Sequence, residues 1–260
     1  LYVPGFFEVD IKKGESVVFS AGISDVSTNK LKQIFQHEVN DRTPRDSFYH
    51  CLKNSAHQFH NKQGDCHYIL AGYPWFKCRA RDLFVSLPGL TLAIDEPEEF
   101  EDVMETAQKT LRCYMNNIPV DCKIYELDDP DVLLWAVWAL QQYAKETTRE
   151  KCRIKYGDLL LEIIDFIRKG KHNNLFLHEN GLLYTHGANK PVTWMNSTID
   201  GHPVIPRTGY VVEVNALWYN ALRFVADMLR EDENPSLADT LDVLAQKTAV
   251  SFVETFRNEY

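Results

Sequence analysis

Apolar residues recur at helical spacing along most of this chain and form short β-like runs only near its beginning. Phe6–Ile11 and Ser16–Ser20 are strand-like, and Lys13–Glu15 separates them as a turn would. Two strands alone do not make a stable sheet, so we expect residues 1–23 to end a β-domain whose other strands are not in this sequence. The periodicity then predicts eight helices, over residues 28–40, 45–62, 81–94, 97–117, 130–147, 150–169, 214–231 and 235–258.

The helix starts and faces indicate how these helices pack. Pro97 and Pro130 each precede an apolar-periodic stretch, and proline suits a first turn whose N–H groups are unpaired. We expect Asp129 to be an N-cap. Val132–Leu140 is apolar all round and predicts a helix buried on every side. The charged helix 97–117 is expected outside. Alternating inner and outer helices favour α-hairpins in two layers, with the ligand site on loops at one end.

Composition excludes several classes of function. The 260 residues carry a net charge of -9, which disfavours nucleic acid and anionic membrane surfaces as partners. The longest apolar run, Val132–Leu140, is far shorter than the roughly 20 residues of a membrane span. Six cysteines occur without any CxxC pair, which indicates dispersed thiols of a reducing compartment. We therefore expect a cytoplasmic location.

Two long polar segments, residues 61–79 and 171–212, lack helix signals, and loops of this length are usually functional. In the first, aromatic rings precede Arg81 and Asp82, a combination suited to stacking on and hydrogen bonding to a sugar. A packed aromatic corner with a structural ion pair is the alternative. The second segment and the helix start after it carry further side chains of the kind that sugar sites use: Trp194, Asn196, Arg207, Glu213 and Asn215.

Three segments form a recognisable pattern: Gly72–Asp82 (GYPWF…RD), Asp131–Trp135 (DVLLW) and Thr193–Leu222 (TWMN…PRTGYVVEVNALWYNAL). They closely resemble the glucosidase domain of glycogen debranching enzymes, the amylo-α-1,6-glucosidase type. The resemblance implies a mainly α fold, a partial (α/α)6 toroid of the glucoamylase-like six-hairpin kind. Residues 24–260 would be the N-terminal part of that toroid, truncated at the C-terminus, and residues 1–23 the end of an N-terminal β-domain.

The same resemblance implies an activity and a set of residues. It implies an inverting hydrolase that removes α-1,6-linked glucose from glycogen or another branched α-glucan, with no cofactor and no metal. Inversion uses two carboxyl groups about 6.5–9.5 Å apart. Asn196 and Glu213 match catalytic positions. Matching substrate-binding positions are Tyr73, Trp75, Arg81, Asp82, Asp131, Trp194, Arg207 and Asn215.

Two departures from the family pattern affect catalysis. The family has aspartate at the general-acid position, where this chain has Asn196, and an amide cannot donate a proton to a leaving oxygen. Glu213 and Asp200 are the nearest alternatives, and the sequence does not rank them. The pattern also predicts fewer helices than a complete toroid contains. We therefore expect the second carboxylate beyond residue 260 and no hydrolysis by the isolated chain.

Competing interpretations stay open. Asn196 favours a non-catalytic glucan-binding protein, since the other sugar-contacting side chains remain. A glucoamylase or trehalase relative would share Arg81 and Asp82 but not the long NALWYNAL block. His57, His60, Cys66 and His67 fit no structural-zinc spacing and are interpreted as loop histidines. The acidic run at residues 96–102 is interpreted as a solvated helix start rather than a cation site.

Overall fold

The chain comprises two compact units, residues 1–55 and 56–260. A computed structural model describes residues 5–22, 25–72, 75–119, 123–187, 190–231 and 235–258. In the first unit, a 3₁₀ turn leads into α1 (Leu31–Asp41), as the periodicity predicts. The division between the units falls near the end of α2 (Phe48–His57).

The second unit is mainly helical, which confirms the predicted fold class. Its helices begin within two residues of the predicted starts. Pro97 opens α4, as predicted, and Gly170 follows α6 with φ +63°, a left-handed conformation that suits a glycine stop. None of the helices within the described ranges could cross a membrane. The helices are α3 (Ala80–Leu90), α4 (Pro97–Met115), α5 (Val132–Glu146), α6 (Arg149–Arg168), α7 (Val212–Glu231) and α8 (Pro235–Phe256).

The strands predicted near the beginning are wrong. Residues 5–22 contain the predicted turn, at Lys13–Gly14, but no strand. Glu15 N donates to Lys12 O across this turn at 3.0 Å, and the Phe7 and Phe19 rings lie 5.6 Å apart. The two arms thus touch without forming a ladder. A two-stranded ribbon is marginal without further strands against it, and the described part of the first unit supplies none.

The predicted helix 45–62 also ends early. Its last residues instead form β1 (His60–Gln63), which pairs antiparallel with β2 (Cys66–Ile69). Gly64 opens the two-residue turn with φ +60°, the conformation that a tight hairpin turn demands. A glycine-containing pair between two apolar-polar runs is a hairpin signal that outweighs helical periodicity here.

Short strands order both long segments that lack helix signals. In the first, β3 (Cys78–Arg79) pairs parallel with β4 (Ile124–Tyr125). In the second, β5 (Leu175–Leu177), β6 (Leu183–Thr185) and β9 (Gly209–Tyr210) form an antiparallel sheet, and β7 (Thr198–Ile199) pairs with β8 (His202–Pro203). These pairings hold the loops against the helices.

The core centres on α5, as its apolar sequence predicts. This helix packs against α3, α4, α6 and α7. Val132, Leu133 and Leu140 are fully buried, each contributing about 1.5–3 kcal/mol. Trp135 and Trp138 are only half-buried, so α5 is not enclosed on every side. The N-terminal end of α5 is where the buried core meets the polar loops.

Candidate active site

Arg81 connects the start of α3 to the loop before α5. Its guanidinium is buried, and it donates to Asp131 through Nε at 2.8 Å and Nη2 at 2.9 Å. Nη2 also donates to Asp129 Oδ2 at 2.6 Å. Trp135 Nε1 donates to Asp131 Oδ2 at 3.2 Å. The Asp131 carboxylate therefore accepts from Arg81 and Trp135, and its bonds to Arg81 connect the start of α3 to the start of α5.

This network corrects two expectations. Asp129 is not a helix cap, because Asp131 occupies the N-cap position and the Asp129 carboxylate accepts from Arg81. Arg81 also does not pair with its neighbour Asp82. The half-buried Asp82 carboxylate has no hydrogen-bond or ion-pair partner among the described residues. It remains available to a ligand.

Asp129 has an unusual carboxyl group for a residue beside an arginine. Burial raises its pKa to about 6. The Arg81 charge opposes this shift, while the negative charges of Asp131, Glu126 and Asp128 add to it. Because one arginine is shared by two aspartates, the cluster carries excess negative charge. Asp129 accepts fewer bonds from Arg81 than Asp131 does, so the Asp129 carboxylate is the one that binds a proton more readily. Such a group can exchange a proton near neutral pH, as a general acid must.

A cavity of about 230 Å³ opens beside this carboxyl group. Glu126, Asp128 and Asp129 line it together with Asn196. Arg79 also lines it, and Arg79 Nη2 lies 3.0 Å from Glu126 Oε1. The cavity thus brings the amide at the expected general-acid position together with three carboxylates from one short segment.

The backbone of this segment is held in an uncommon conformation. Glu126 has φ +63°, which is unfavourable for a residue with a side chain. It directly follows β4, whose pairing with β3 fixes where the segment leaves the sheet. Asn174 Nδ2 donates to the Asp128 carbonyl at 3.0 Å. Backbone strain of this kind is typically retained where the fold must hold a side chain in one orientation.

Trp194, Arg207 and Glu213 form a second cluster, as their common assignment to the site predicts. Arg207 Nη2 donates to Glu213 Oε2 at 2.7 Å, and Trp194 Nε1 donates to Glu213 Oε1 at 3.3 Å. Asn196 N donates to the Trp194 carbonyl at 3.0 Å, which connects this cluster to the cavity. Both Glu213 oxygens therefore accept from donors of this cluster.

Two other predicted residues have contacts of a structural kind. Asn215 is fully buried; its amide nitrogen donates to the carbonyls of Leu183 and Val211, and its oxygen accepts from Leu183 N at 2.7 Å. It therefore joins β6 to α7. Asp200 lies at the exposed tip of the β7–β8 hairpin with φ +50°, followed by Gly201 at +80°. These are the angles of a hairpin turn, and Asp200 does not line the cavity.

The predicted aromatic residues are exposed where they are described. Trp75 is 70% and Trp194 63% exposed, far more than is usual for tryptophan. An exposed indole face beside polar groups is a surface on which a sugar can stack. Tyr73 lies outside the described residues.

Sequence reasoning missed the acidic segment that lines the cavity. Glu126, Asp128 and Asp129 were distinguishable only as a run of acids before an apolar helix, which is also what a solvated helix start looks like. Arg79 likewise carried no motif of its own. The useful signal is that carboxylates next to a buried helix start lie near a desolvated region, where their proton affinity rises.

A mainly α protein whose loops bring carboxylates and an amide around one cavity, and which also exposes tryptophan side chains, has the features of a carbohydrate hydrolase. Residues 48–260 match the family described as Amylo-alpha-1,6-glucosidase, and the chain belongs to that family. The match confirms the family resemblance of the three motifs and identifies a glycoside hydrolase of the debranching-enzyme type. A search of the curated proteins found no significant match.

Proposed function

We propose that the native full-length protein removes α-1,6-linked glucose from branch points of glycogen or a related α-glucan, with inversion at the anomeric carbon. The family match supports the reaction type. The cavity that joins Asp129 to Asn196 is the observation that carries the proposal. Exposed indoles at Trp75 and Trp194 are suited to stacking on glucose rings of the chain that carries the branch.

We propose further that Asp129 is the proton donor in place of the missing aspartate at 196. Its carboxyl group lines the same cavity as Asn196, and burial gives it a pKa of about 6. A protonated carboxyl there would give its proton to the glycosidic oxygen as the C1–O bond breaks, while a water molecule forms the new bond to C1 from the opposite face and a second carboxylate takes the proton of that water. Asn196 would then contribute a hydrogen bond to the substrate.

Glu213 is proposed to orient the substrate. Arg207 and Trp194 already donate to its two oxygens, and Glu213 does not line the cavity that holds Asp129 and Asn196. Arg207 and Trp194 belong to the same substrate-binding cluster in this proposal. Arg81, Asp131 and Asn215 act by positioning, since their polar atoms bind one another or the backbone. Asp82 is free to bind a glucose hydroxyl.

The finer features of the fold are also proposals. Successive helices α5 and α6, and α7 and α8, pack as neighbours, which is the arrangement of α-hairpins in a toroid. We propose that α3–α8 belong to an (α/α)6 toroid with the cavity at one end. The loops that line the cavity would then be those that join its helices.

The test is release of glucose from a phosphorylase limit dextrin by the native protein. The expected product is free glucose, initially the β-anomer as seen by NMR, because inversion of an α-linkage yields β. Asp129→Asn is expected to lose about 10²- to 10⁴-fold in rate, while Asp200→Asn keeps its activity. Full activity of Asp129→Asn would eliminate Asp129 as donor.

A glucan-binding function without hydrolysis is the second candidate, favoured by the amide at Asn196. It predicts that the native protein binds the dextrin but releases no glucose. In that case Asn196→Asp is the variant to build, since it restores the acid at the family position.

A further inference from the structure

Three histidines on and beside the β1–β2 hairpin face three acidic residues along α4. His57 Nε2 lies 2.8 Å from Glu96 Oε2, His60 Nδ1 lies 3.7 Å from Glu99 Oε2, and His67 Nδ1 lies 3.6 Å from Asp102 Oδ2. The acids are spaced three residues apart, so they share one face at the start of the helix. The acidic run is therefore not simply solvated, as the sequence suggested.

The three pairs are not alike. The His57–Glu96 pair is within hydrogen-bond distance, whereas the other two separations exceed the 2.7–3.2 Å that such bonds require. The ligating atoms of His67, Glu99 and Asp102 all lie within 4.8 Å of one another. Two ligands at metal bond lengths of about 2.0–2.2 Å in a tetrahedral site are about 3.3–3.6 Å apart. The His67–Asp102 separation fits that spacing better than it fits direct contact.

The surroundings of His60 are compatible with the same conclusion. Its Nε2 lies 3.2 Å from the Leu90 carbonyl oxygen, which can only accept, so Nε2 carries the hydrogen. In the neutral ring, Nδ1 then presents a lone pair toward a carboxylate oxygen of Glu99. A positive charge, either on the His60 ring itself or on a cation held by the neighbouring ligands, would satisfy both groups at their separation of 3.7 Å.

We propose that His67, Glu99 and Asp102 bind a divalent transition-metal cation, with Zn²⁺ as the representative ion, and that His60 borders the site beside Glu99. One imidazole and two carboxylates suit Zn²⁺ and similar ions better than Ca²⁺, which prefers oxygen ligands alone. All four side chains are partly exposed, so an ion can enter from solvent.

The expected role of the ion is to fasten the hairpin to α4. His67 N already donates to Thr106 Oγ1 on α4 at 2.9 Å, so strand β2 and the helix are in register. The chain runs from β2 through residues 70–77 to β3, which ends at Arg79 in the cavity wall. A bound ion would therefore steady the segment that carries Trp75. This inference does not depend on the proposed hydrolysis.

The test uses ZnCl₂ titrated into the metal-stripped native protein, followed by calorimetry and thermal unfolding. We expect one Zn²⁺ bound per chain and a rise in Tm. His67→Gln and Asp102→Asn should each weaken binding by more than about 100-fold, since even outer partners of a metal matter roughly 10- to 100-fold. His57→Gln is the matched control; it removes a neighbouring histidine whose partner is Glu96, and it should bind Zn²⁺ as the parent does.

Cobalt(II) gives a second reading that needs no catalytic activity. A visible spectrum of nitrogen and oxygen ligation that vanishes in His67→Gln supports the site. A thiolate charge-transfer band would instead place the ion on a cysteine and overturn the proposal. Equal Zn²⁺ binding by the parent and His67→Gln, or no stoichiometric binding by the parent, would overturn it as well. The Tm of each metal-free variant is compared with that of the metal-free parent. A lower Tm without metal reveals a folding defect, whereas an unchanged Tm with weaker Zn²⁺ binding reveals the loss of a ligand.

Discussion

The Asp129 carboxylate accepts a 2.6 Å hydrogen bond from Arg81, yet burial raises its pKa to about 6. Arg81 does not offset the effect of burial fully, because it is shared with Asp131, which takes the Nε donor and a second bond from Nη2. A single positive charge cannot stabilise two buried negative charges equally. The arrangement keeps one carboxyl group ready to hold a proton at the edge of the cavity.

The first prediction separates proton donation from positioning. Asp129→Asn should lose glucose release from a limit dextrin but retain much of its rate with α-glucosyl fluoride. Fluoride leaves without a proton, whereas a glucan oxygen needs one. Rates on the two substrates measure this directly. Equal losses on both substrates would mean that Asp129 only positions Arg81.

The second prediction concerns pH and stability. The pKa of Asp129 is raised in the folded protein, from 3.8 to about 6. The contribution of this group to the free energy of unfolding is therefore fully present below about pH 4 and is lost as pH rises through 6. A shift of this size corresponds to roughly 2–3 kcal/mol. Asp129→Asn should therefore unfold at a higher denaturant concentration than the parent at pH 7.5, with the difference shrinking toward pH 4. Denaturant melts at several pH values give the comparison.

The third prediction concerns His172, which is buried between the rings of Tyr114 and Phe166. Burial lowers its pKa to about 4. A lowered histidine pKa means that stability is present above about pH 6.5 and is lost as pH falls toward 4. His172 Nδ1 accepts from Asn174 N at 3.0 Å. His172→Asn can keep this bond, so we expect a lower stability at pH 7.5 but a flatter acid limb than in the parent.

The fourth prediction distinguishes a positioning residue from a binding residue. Asn215→Ala removes three bonds to buried backbone groups and should cost about 2–4 kcal/mol of unfolding free energy. Trp194→Ala alters an exposed side chain and should leave Tm nearly unchanged while weakening dextrin binding up to roughly tenfold. Thermal melts and dextrin titrations of both variants test the pair. The reverse pattern would exchange the two roles.

The helices were predictable from sequence because their signals are local. Pro97 marks a helix start that the structure reproduces, and the apolar run in α5 predicts burial without reference to any other segment. The early strands were not predicted correctly, because a strand needs a neighbouring strand to pair with, and a local sequence pattern cannot show whether one is present. The helical periodicity near His60 likewise predicted a helix, whereas a turn that contains Gly64 makes these residues part of a β-hairpin.

The site was predictable only in part. Trp194, Arg207 and Glu213 were found through a motif and do lie together. Asp129 was not, because its chemistry comes from a charge 48 residues away and from burial that only the tertiary structure creates. The same limit applies to Glu99 and Asp102, whose facing histidines belong to a separate element.

The turn at Asp200–Gly201 has a practical consequence. Both residues have positive φ, the flanking strands are two residues long, and Ile199 is 67% exposed. A hairpin with so little buried surface tolerates inserted residues or an attached dye at its tip. It also begins two residues after Asn196. If the proposed glucan site is correct, a fluorophore placed at 200 is expected to give an optical signal for dextrin occupancy.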